Sequence, residues 1–355
     1  MNRPSVTHVV LVDGTFASLM EGRSSNIGQI YRLLRPQRGA GFRVRYAAGQ
    51  QWEAWRGLLG LMMGHGMGGR IRDAYGWLAS AYRPGDRIFL MGYSRGAFAI
   101  RSLAAMIERV GLLRMEQATE RNIRLIWRAY REGADAAQLA DLRSHLCHNR
   151  VPIEFLGVFD TVMALGIRLP VLWMLTEPRF RFHDQHLGLD VLRGVQALAL
   201  NETRAAFQPI LWDSEDRAPG AITQMWFKGA HADIGGQLMG SETSRSLANI
   251  PLVWMLEQAE AQGLPLPSGW LARFPRDADA PSVGNWRRWG KAFLARTPRV
   301  AGIDISEALH PSVTRPYDGP AILAGHLAEE AAAARIFRTE RWLKRRLRRA
   351  DQSYH

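Results

Sequence analysis

The stretch from Asp86 to Gly111, DRIFLMGYSRGAFAIRSLAAMIERVG, constrains the fold more than any other part of the chain. Ile88, Phe89, Leu90 and Met91 are apolar without alternation, the pattern of a strand buried on both faces. Gly92-Tyr93-Ser94-Arg95-Gly96 follows at once. After it, Ala97, Ile100, Leu103, Ala104, Ile107 and Val110 recur at helical spacing. A turn this tight between strand and helix forces a strained backbone at the serine. It also demands small residues two before and two after it. The outcome is a hydroxyl held above a sheet edge at a helix N-terminus, where developing negative charge is stabilised. Ser94 is therefore the candidate nucleophile. In an ordinary glycine-rich turn the same serine would be incidental.

Taken in order, the chain alternates strand-like and helix-like segments. Val6–Val12 reads as a first strand, ending in the turn signal Asp13-Gly14-Thr15. Ser24-Ser25-Asn26 offers a cap for a helix over Ile27–Leu34, and Phe42–Tyr46 alternates like a second strand. Trp52–Tyr82 is helical but broken by glycines around GLLGLMMGHGMGG, each costing about 1 kcal/mol against alanine in a helix. Glu116–Cys147 is charged and helical, an insertion over about 112–150. Ile153–Phe159 is the next strand, ending in Asp160-Thr161; Ile167–Phe182 is punctuated by prolines. Leu189, Leu192, Val195, Leu198 and Ala199 predict a helix over Leu187–Asn201. Ala221–Phe227 is a strand, Ser246–Gln262 a helix, Gly263–Pro320 loop-like, and Leu327–Ala350 a final helix. Such alternation predicts an α/β fold, a mostly parallel sheet with helices on both faces. The catalytic domain is expected over 1–326, with a basic C-terminal helix over 327–355.

Of the 355 residues 47% are hydrophobic, enough for a large core. Cys147 is the sole cysteine, so no intrachain disulfide exists; it reads as a helix residue. The first residues lack a charged-then-apolar signal layout, which predicts synthesis in the cytoplasm. The net charge is +13, and residues 335–349 hold eight cations and one acid, a net +7. Basicity is thus a local feature. The last segment, with Ile336, Phe337, Trp342, Leu343 and Leu347 among its cations, suits an anionic membrane surface or one face docked on the domain. No specific nucleic-acid partner is expected.

In a parallel sheet the chemistry gathers at the carboxyl ends of the strands. The polar residues there are Asp13 and Thr15, Ser94, Asp160, and His231 with Asp233. A serine needs a base, and the base needs an acid to hold its tautomer. Ser94, Asp160 and His231 occur in the α/β-hydrolase order, separated by 66 and 71 residues. His310 competes as base and Asp233 as acid; the bland role of Asp233 is to cap the Gly235-Gly236 turn. His183 and His186 have a metal-like i,i+3 spacing without further ligands, so neither metal nor organic cofactor is expected. The oxyanion requires two backbone N–H donors, one from Arg95 and one from Gly14 or Thr15, with Asp13 ordering that loop.

The blocks VDGT (12–15), GYSRGAFAIRSL (92–103), GVFDTV (157–162), ALALNETRAAFQPILW (197–212) and WFKGAHADIGG (226–236) resemble the α/β-hydrolase domain of type VI secretion lipase effectors of the first family. FHD (182–184) and HPSV with Arg315 belong to the same likeness; Gln196 and Asn201 stand where His and Asp are expected. The resemblance implies a Ser-Asp-His phospholipase on membrane glycerophospholipids, with Ser94, Asp160 and His231 in those roles. It also implies a secretion or immunity partner and delivery to the periplasm or membrane of a target cell. An esterase or thioesterase on small soluble esters is the alternative. A non-catalytic module binding anionic surfaces is the alternative of another class.

Overall fold

The computed structural model describes residues 3–51, 67–162, 186–285, 295–313 and 319–325. The glycine- and methionine-rich centre of 52–66, the proline-punctuated 163–182, His183, Arg315 and the basic C-terminal segment lie outside them.

All six side chains of the first strand, β1 (Thr7–Val12), are buried. Val9 and Leu11 join one apolar cluster and Val10 and Val12 another, on the two faces of the sheet. Helix α1 (Asn26–Leu34) follows, capped by the Ser25 hydroxyl, which accepts from the Gly28 N–H at 3.2 Å. Next come β2 (Phe42–Ala47), α2 (Met67–Ala79), β3 (Arg87–Tyr93) and α3 (Arg95–Val110). Two helices, α4 (Glu120–Glu132) and α5 (Ala136–Leu146), stand in the interval read as a helical insertion. They are capped by Thr119 and Asp135. The Cys147 thiol ends α5, buried, its pKa pushed up to about 11 by that burial. The chain continues through β4 (Phe155–Phe159), β5 (Gly194–Ala199), β6 (Ile222–Phe227), α6 (His231–Gly235) and α7 (Arg245–Ala261). Three short strands follow, β7 (Val300–Ala301), β8 (Glu307–Leu309) and β9 (Ile322–Leu323).

The seven-stranded sheet runs β2-β1-β3-β4-β5-β6-β8, and every neighbouring pair is parallel. Helices α2 and α3 cover the face carrying Ile88, Leu90 and Val158; α1 and α7 cover the face carrying Phe89, Met91 and Phe155. This is the expected α/β architecture. The chain leaves β1 outward to β2, then returns past β1 to β3. Strand order therefore reverses between β1 and β3, and the loops leaving these two strands part to open a crevice. Ser94 follows β3 and Asp13-Gly14-Thr15 follows β1, so both border it.

Two expectations fail. Leu187–Asn201 is not a helix: Gly194–Ala199 is β5, hydrogen-bonded between β4 and β6. A strand buried on both faces has no alternation, so its apolar run fell into register with a helical spacing. Leu189 and Leu192, the first two residues of that supposed face, are 71% and 46% exposed. Gly263–Pro320 is not loop alone either. Within it β8 extends the sheet beside β6, held by Glu307, which accepts from the Trp226 indole at 2.7 Å.

Candidate active site

Ser94 sits at φ +56°, ψ −121°, between the last residue of β3 and the first of α3. The flanking glycines leave no room for a methyl group. A Cβ on Gly92 would lie 2.6 Å from the Gly96 carbonyl oxygen, and one on Gly96 would lie 2.2 Å from that of Val12. The expected elbow is thus imposed by contact with the chain's own backbone. Tyr93 pairs with Phe159 in the sheet, so Ser94 and Asp160 are the next residues on adjacent strands. Asp160 also has a positive φ, +42°. His231 enters from the next layer of loops as the first residue of α6.

These three side chains meet. The Ser94 hydroxyl lies 2.9 Å from His231 Nε2, and Asp160 Oδ2 lies 2.6 Å from His231 Nδ1. All three residues are buried: Ser94 is 7%, His231 5% and Asp160 0% exposed. The imidazole is gripped by Tyr93 and Phe207, each with its ring centroid 4.9 Å away. The His231 N–H donates to Glu202 Oε2 at 3.2 Å, and Glu202 is in turn clasped by Arg204 at 2.6 and 2.9 Å. Burial lowers the His231 pKa, against the pull of Asp160.

Asp160 has a partner that the sequence did not announce. Arg299 donates from Nη1 to Oδ1 at 2.6 Å and from Nη2 to Oδ2 at 2.9 Å, a two-pronged clasp. Its Nη1 also donates to the Ala199 carbonyl at 2.8 Å, and its Nη2 to that of Phe207. The Ala199 N–H adds a further bond to Asp160 Oδ1, at 3.0 Å. Burial alone would raise the pKa of Asp160. The charge of Arg299, with bonds from His231 and Arg299, overcomes this and holds it well below the usual carboxylate range.

The rivals go elsewhere. His310 stacks on Phe227, centroids 4.6 Å apart, and its Nδ1 accepts from the Ser312 N–H at 3.1 Å with the Ser312 hydroxyl at 2.8 Å. The Asp233 carboxylate accepts from the Ala230 N–H at 2.8 Å, the Ser282 hydroxyl at 2.5 Å and the Val283 N–H at 2.7 Å. It caps α6 and pins the 282–284 loop. Gln196 lies in β5 within reach of Arg101 and Thr161, and Asn201 accepts from the Gly229 N–H at 2.8 Å.

The loop after β1 abuts the nucleophile: a Cβ on Gly14 would lie 2.5 Å from the Tyr93 ring and 3.3 Å from Ser94 Cβ. Asp13 orders this loop, accepting from the Gly14 N–H at 2.8 Å, the Ser25 hydroxyl at 2.6 Å and the Tyr46 hydroxyl at 2.7 Å. Burial nevertheless pushes its pKa up to about 6. The Gly14 N–H is thus engaged by the neighbouring carboxylate. The Thr15 N–H makes no hydrogen bond among the described residues. Arg95 is the first residue of α3, directly after Ser94.

Glu202, Arg204 and Arg299 escaped the sequence reading. The first two stood in a quoted block, as charges directly after an apolar run, which is a usable signal. Arg299 lies 139 residues from Asp160 in a loop-like region and gave none.

An uncharacterised protein of Saccharomyces cerevisiae, YEL023C, is 35% identical over 150 residues, covering 39% of this chain and 22% of that protein. Among solved structures, an uncharacterised protein from Pseudomonas aeruginosa superposes with a TM-score of 0.45 at 18% identity, covering 79% of this chain and 52% of that one. The Tle1 effector bound to the VgrG spike of the type 6 secretion system gives 0.37 at 17% identity, covering 66% and 52%. The chain spans about half the length of these structural relatives, and less of the yeast protein. The family described as T6SS phospholipase effector Tle1-like, catalytic domain, matches residues 7–258, and the chain belongs to it.

Proposed function

We propose that this chain is a serine-dependent carboxylic ester hydrolase, a phospholipase acting on membrane glycerophospholipids. The observation that carries the reading is the unbroken relay from Ser94 through His231 to Asp160, with contacts of 2.9 and 2.6 Å, beside the crevice between β1 and β3. Membership of a phospholipase effector family supports the lipid substrate.

In this reading His231 Nε2 takes the Ser94 proton as Oγ attacks the ester carbonyl carbon. The π electrons of the carbonyl move to oxygen, and the oxyanion faces the Thr15 and Arg95 N–H groups. The imidazolium, held by Asp160, gives its proton to the departing alcohol as the C–O bond breaks. Water then attacks the acyl-enzyme with His231 again as base, releasing the fatty acid and restoring Ser94. No step calls for a metal or an organic cofactor. Delivery into a target cell through a partner of the spike class, and an immunity partner, belong to the same proposal. The eight cations of residues 335–349 would add attraction to an anionic bilayer. Among the described residues no helix is long and apolar enough to cross a membrane.

The test measures fatty-acid release from phospholipid vesicles, with labelling by a fluorophosphonate probe. Wild type should be labelled at Ser94 and release fatty acid, and Ser94→Ala should do neither. No labelling sinks the serine mechanism. Labelling with turnover confined to short-chain soluble esters sinks the phospholipid assignment alone.

A further inference from the structure

We propose that Arg299 is a positioning residue of the hydrolytic site: its two-pronged clasp fixes Asp160 in one orientation and offsets its charge, so that His231 stays a neutral base at acidic pH. The inference rests on the hydrolase reading of Ser94, Asp160 and His231 and goes beyond it.

The argument starts from electrostatics. A buried lone carboxylate beside an imidazole strongly favours the imidazolium, because little water screens the pair. Such a histidine picks up a proton readily and loses its capacity as base when the pH falls. Here both oxygens of Asp160 are engaged by Arg299, and both residues are fully buried. The ion pair is neutral overall. His231 keeps a directional hydrogen bond at 2.6 Å, and the pull of the carboxylate on the imidazolium is weakened by the cation clasped to it.

Of the other charged groups around the imidazole, Arg204 also disfavours its cation and Glu202 favours it. Glu202 reaches the His231 backbone N–H but is paired with Arg204, whose guanidinium lies 3.8 Å above the Phe207 ring. Tyr93 directs its hydroxyl to the His231 carbonyl at 3.3 Å, and burial keeps it un-ionised. Ser94 is uncharged. Arg299 is therefore the cation that directly contacts the acid of the relay.

The clasp also fixes geometry. Asp160 adopts φ +42°, and its Oδ1 accepts from Arg299 and the Ala199 N–H while Oδ2 faces His231 and Arg299. Arg299 ties this carboxylate to the carbonyls of Ala199 and Phe207, at the end of β5 and in the loop that carries the ring against His231. One side chain thus connects the acid, a strand end and the wall of the imidazole pocket.

The test reads the charge effect without relying on turnover. The His231 imidazole is titrated by NMR in wild type, Arg299→Gln and Arg299→Lys, its signal assigned by loss in His231→Gln. In parallel, the rate of fluorophosphonate labelling is followed against pH. The wild-type midpoint should lie below the ordinary histidine value of about 6.5. Arg299→Gln should raise it by about one pH unit or more, and carry the acid limb of labelling with it. Arg299→Lys should keep the midpoint, yet label about tenfold or more slowly because the second prong is lost. Equal midpoints in wild type and Arg299→Gln overturn the proposal, whatever the rates do. If Arg299→Gln does not fold, a wild-type midpoint at or above 6.5 overturns it. A wild type that never labels would break the hydrolase reading, and the titration would still report on Arg299.

Discussion

Two buried carboxylates stand at opposite ends of the parallel sheet, and each holds a histidine and an arginine. At the carboxyl ends of the strands, Asp160 meets His231 at 2.6 Å and Arg299 at 2.6 and 2.9 Å. At the amino ends, Asp86 meets His8 Nε2 at 3.0 Å and also binds Arg3. Burial lowers the pKa of both histidines, against the pull of their carboxylates. The difference lies beyond the pair. The second nitrogen of His231 faces the Ser94 hydroxyl, whereas Nδ1 of His8 has no hydrogen-bond partner among the described residues. Around His8 are the rings of Trp77 and Tyr82 instead of a crevice. Asp86 accepts the Val6 and Arg83 N–H groups at 2.9 and 3.0 Å, tying β1 to the turn before β3. An Asp-His-Arg cluster is therefore not in itself a site. Strained backbone at Ser94 and Asp160 and a reversal of strand order make the difference at the upper end.

The comparison breaks most decisively on activity. Ser94→Ala and Asp160→Asn should each lower ester turnover by about 10⁴-fold. Asp86→Asn should leave turnover per folded molecule within about twofold and instead cost about 3 kcal/mol of stability, since a buried pair loses one charge. Denaturant unfolding and titration of active serines by a fluorophosphonate separate the two outcomes. Comparable losses of turnover from both carboxylates would show that the lower cluster acts on the site.

A smaller effect is expected from the elbow itself. Gly96→Ala would place a methyl 2.2 Å from the Val12 carbonyl oxygen and 2.6 Å from that of Asp13. The backbone must shift, at a cost of about 1–3 kcal/mol, and the shift moves the loop carrying Thr15 away from Ser94. Turnover should fall about 100-fold, more than the stability loss explains. Gly85→Ala, in the turn beside Asp86, meets nothing within 4 Å, though its φ of +90° penalises a side chain. It should change stability without changing turnover per folded molecule.

How far these features were legible follows from their range in sequence. Ser94 was legible because an elbow is local: strand, two glycines and helix lie within 26 residues. Asp160 and His231 were reached by their position just after apolar runs, which is where β4 and β6 end. The helix expected over Leu187–Asn201 failed because β5 is buried on both faces and shows no period of two. Arg299 was illegible because its partner is defined only by the fold, 139 residues away in sequence. The lower cluster was equally hidden, since His8 and Asp86 meet across 78 residues. Local chemistry was readable; charge compensation over long range was not.

The smallest expected effect concerns the histidine that competed for the role of base. Burial, helped by the charge of Arg276, brings the His310 pKa down to about 4. The unfolded chain therefore binds more protons at this position between about pH 6.5 and 4. The stability that His310 contributes is complete above about 6.5 and is lost as the pH falls toward 4. His8 and His231 have the same sign, while Asp13, raised to about 6, has the opposite one, so the slope between pH 7 and pH 5 is the balance of the three histidines against Asp13. His310→Ala should remove part of that slope and about 1 kcal/mol of stacking on Phe227, while ester turnover changes less than about twofold. Urea unfolding at pH 7 and pH 5, with turnover at pH 8, measures both. If His310→Ala abolishes turnover in a folded protein, the base has been misassigned and the contrast between the two ends of the sheet loses its upper member.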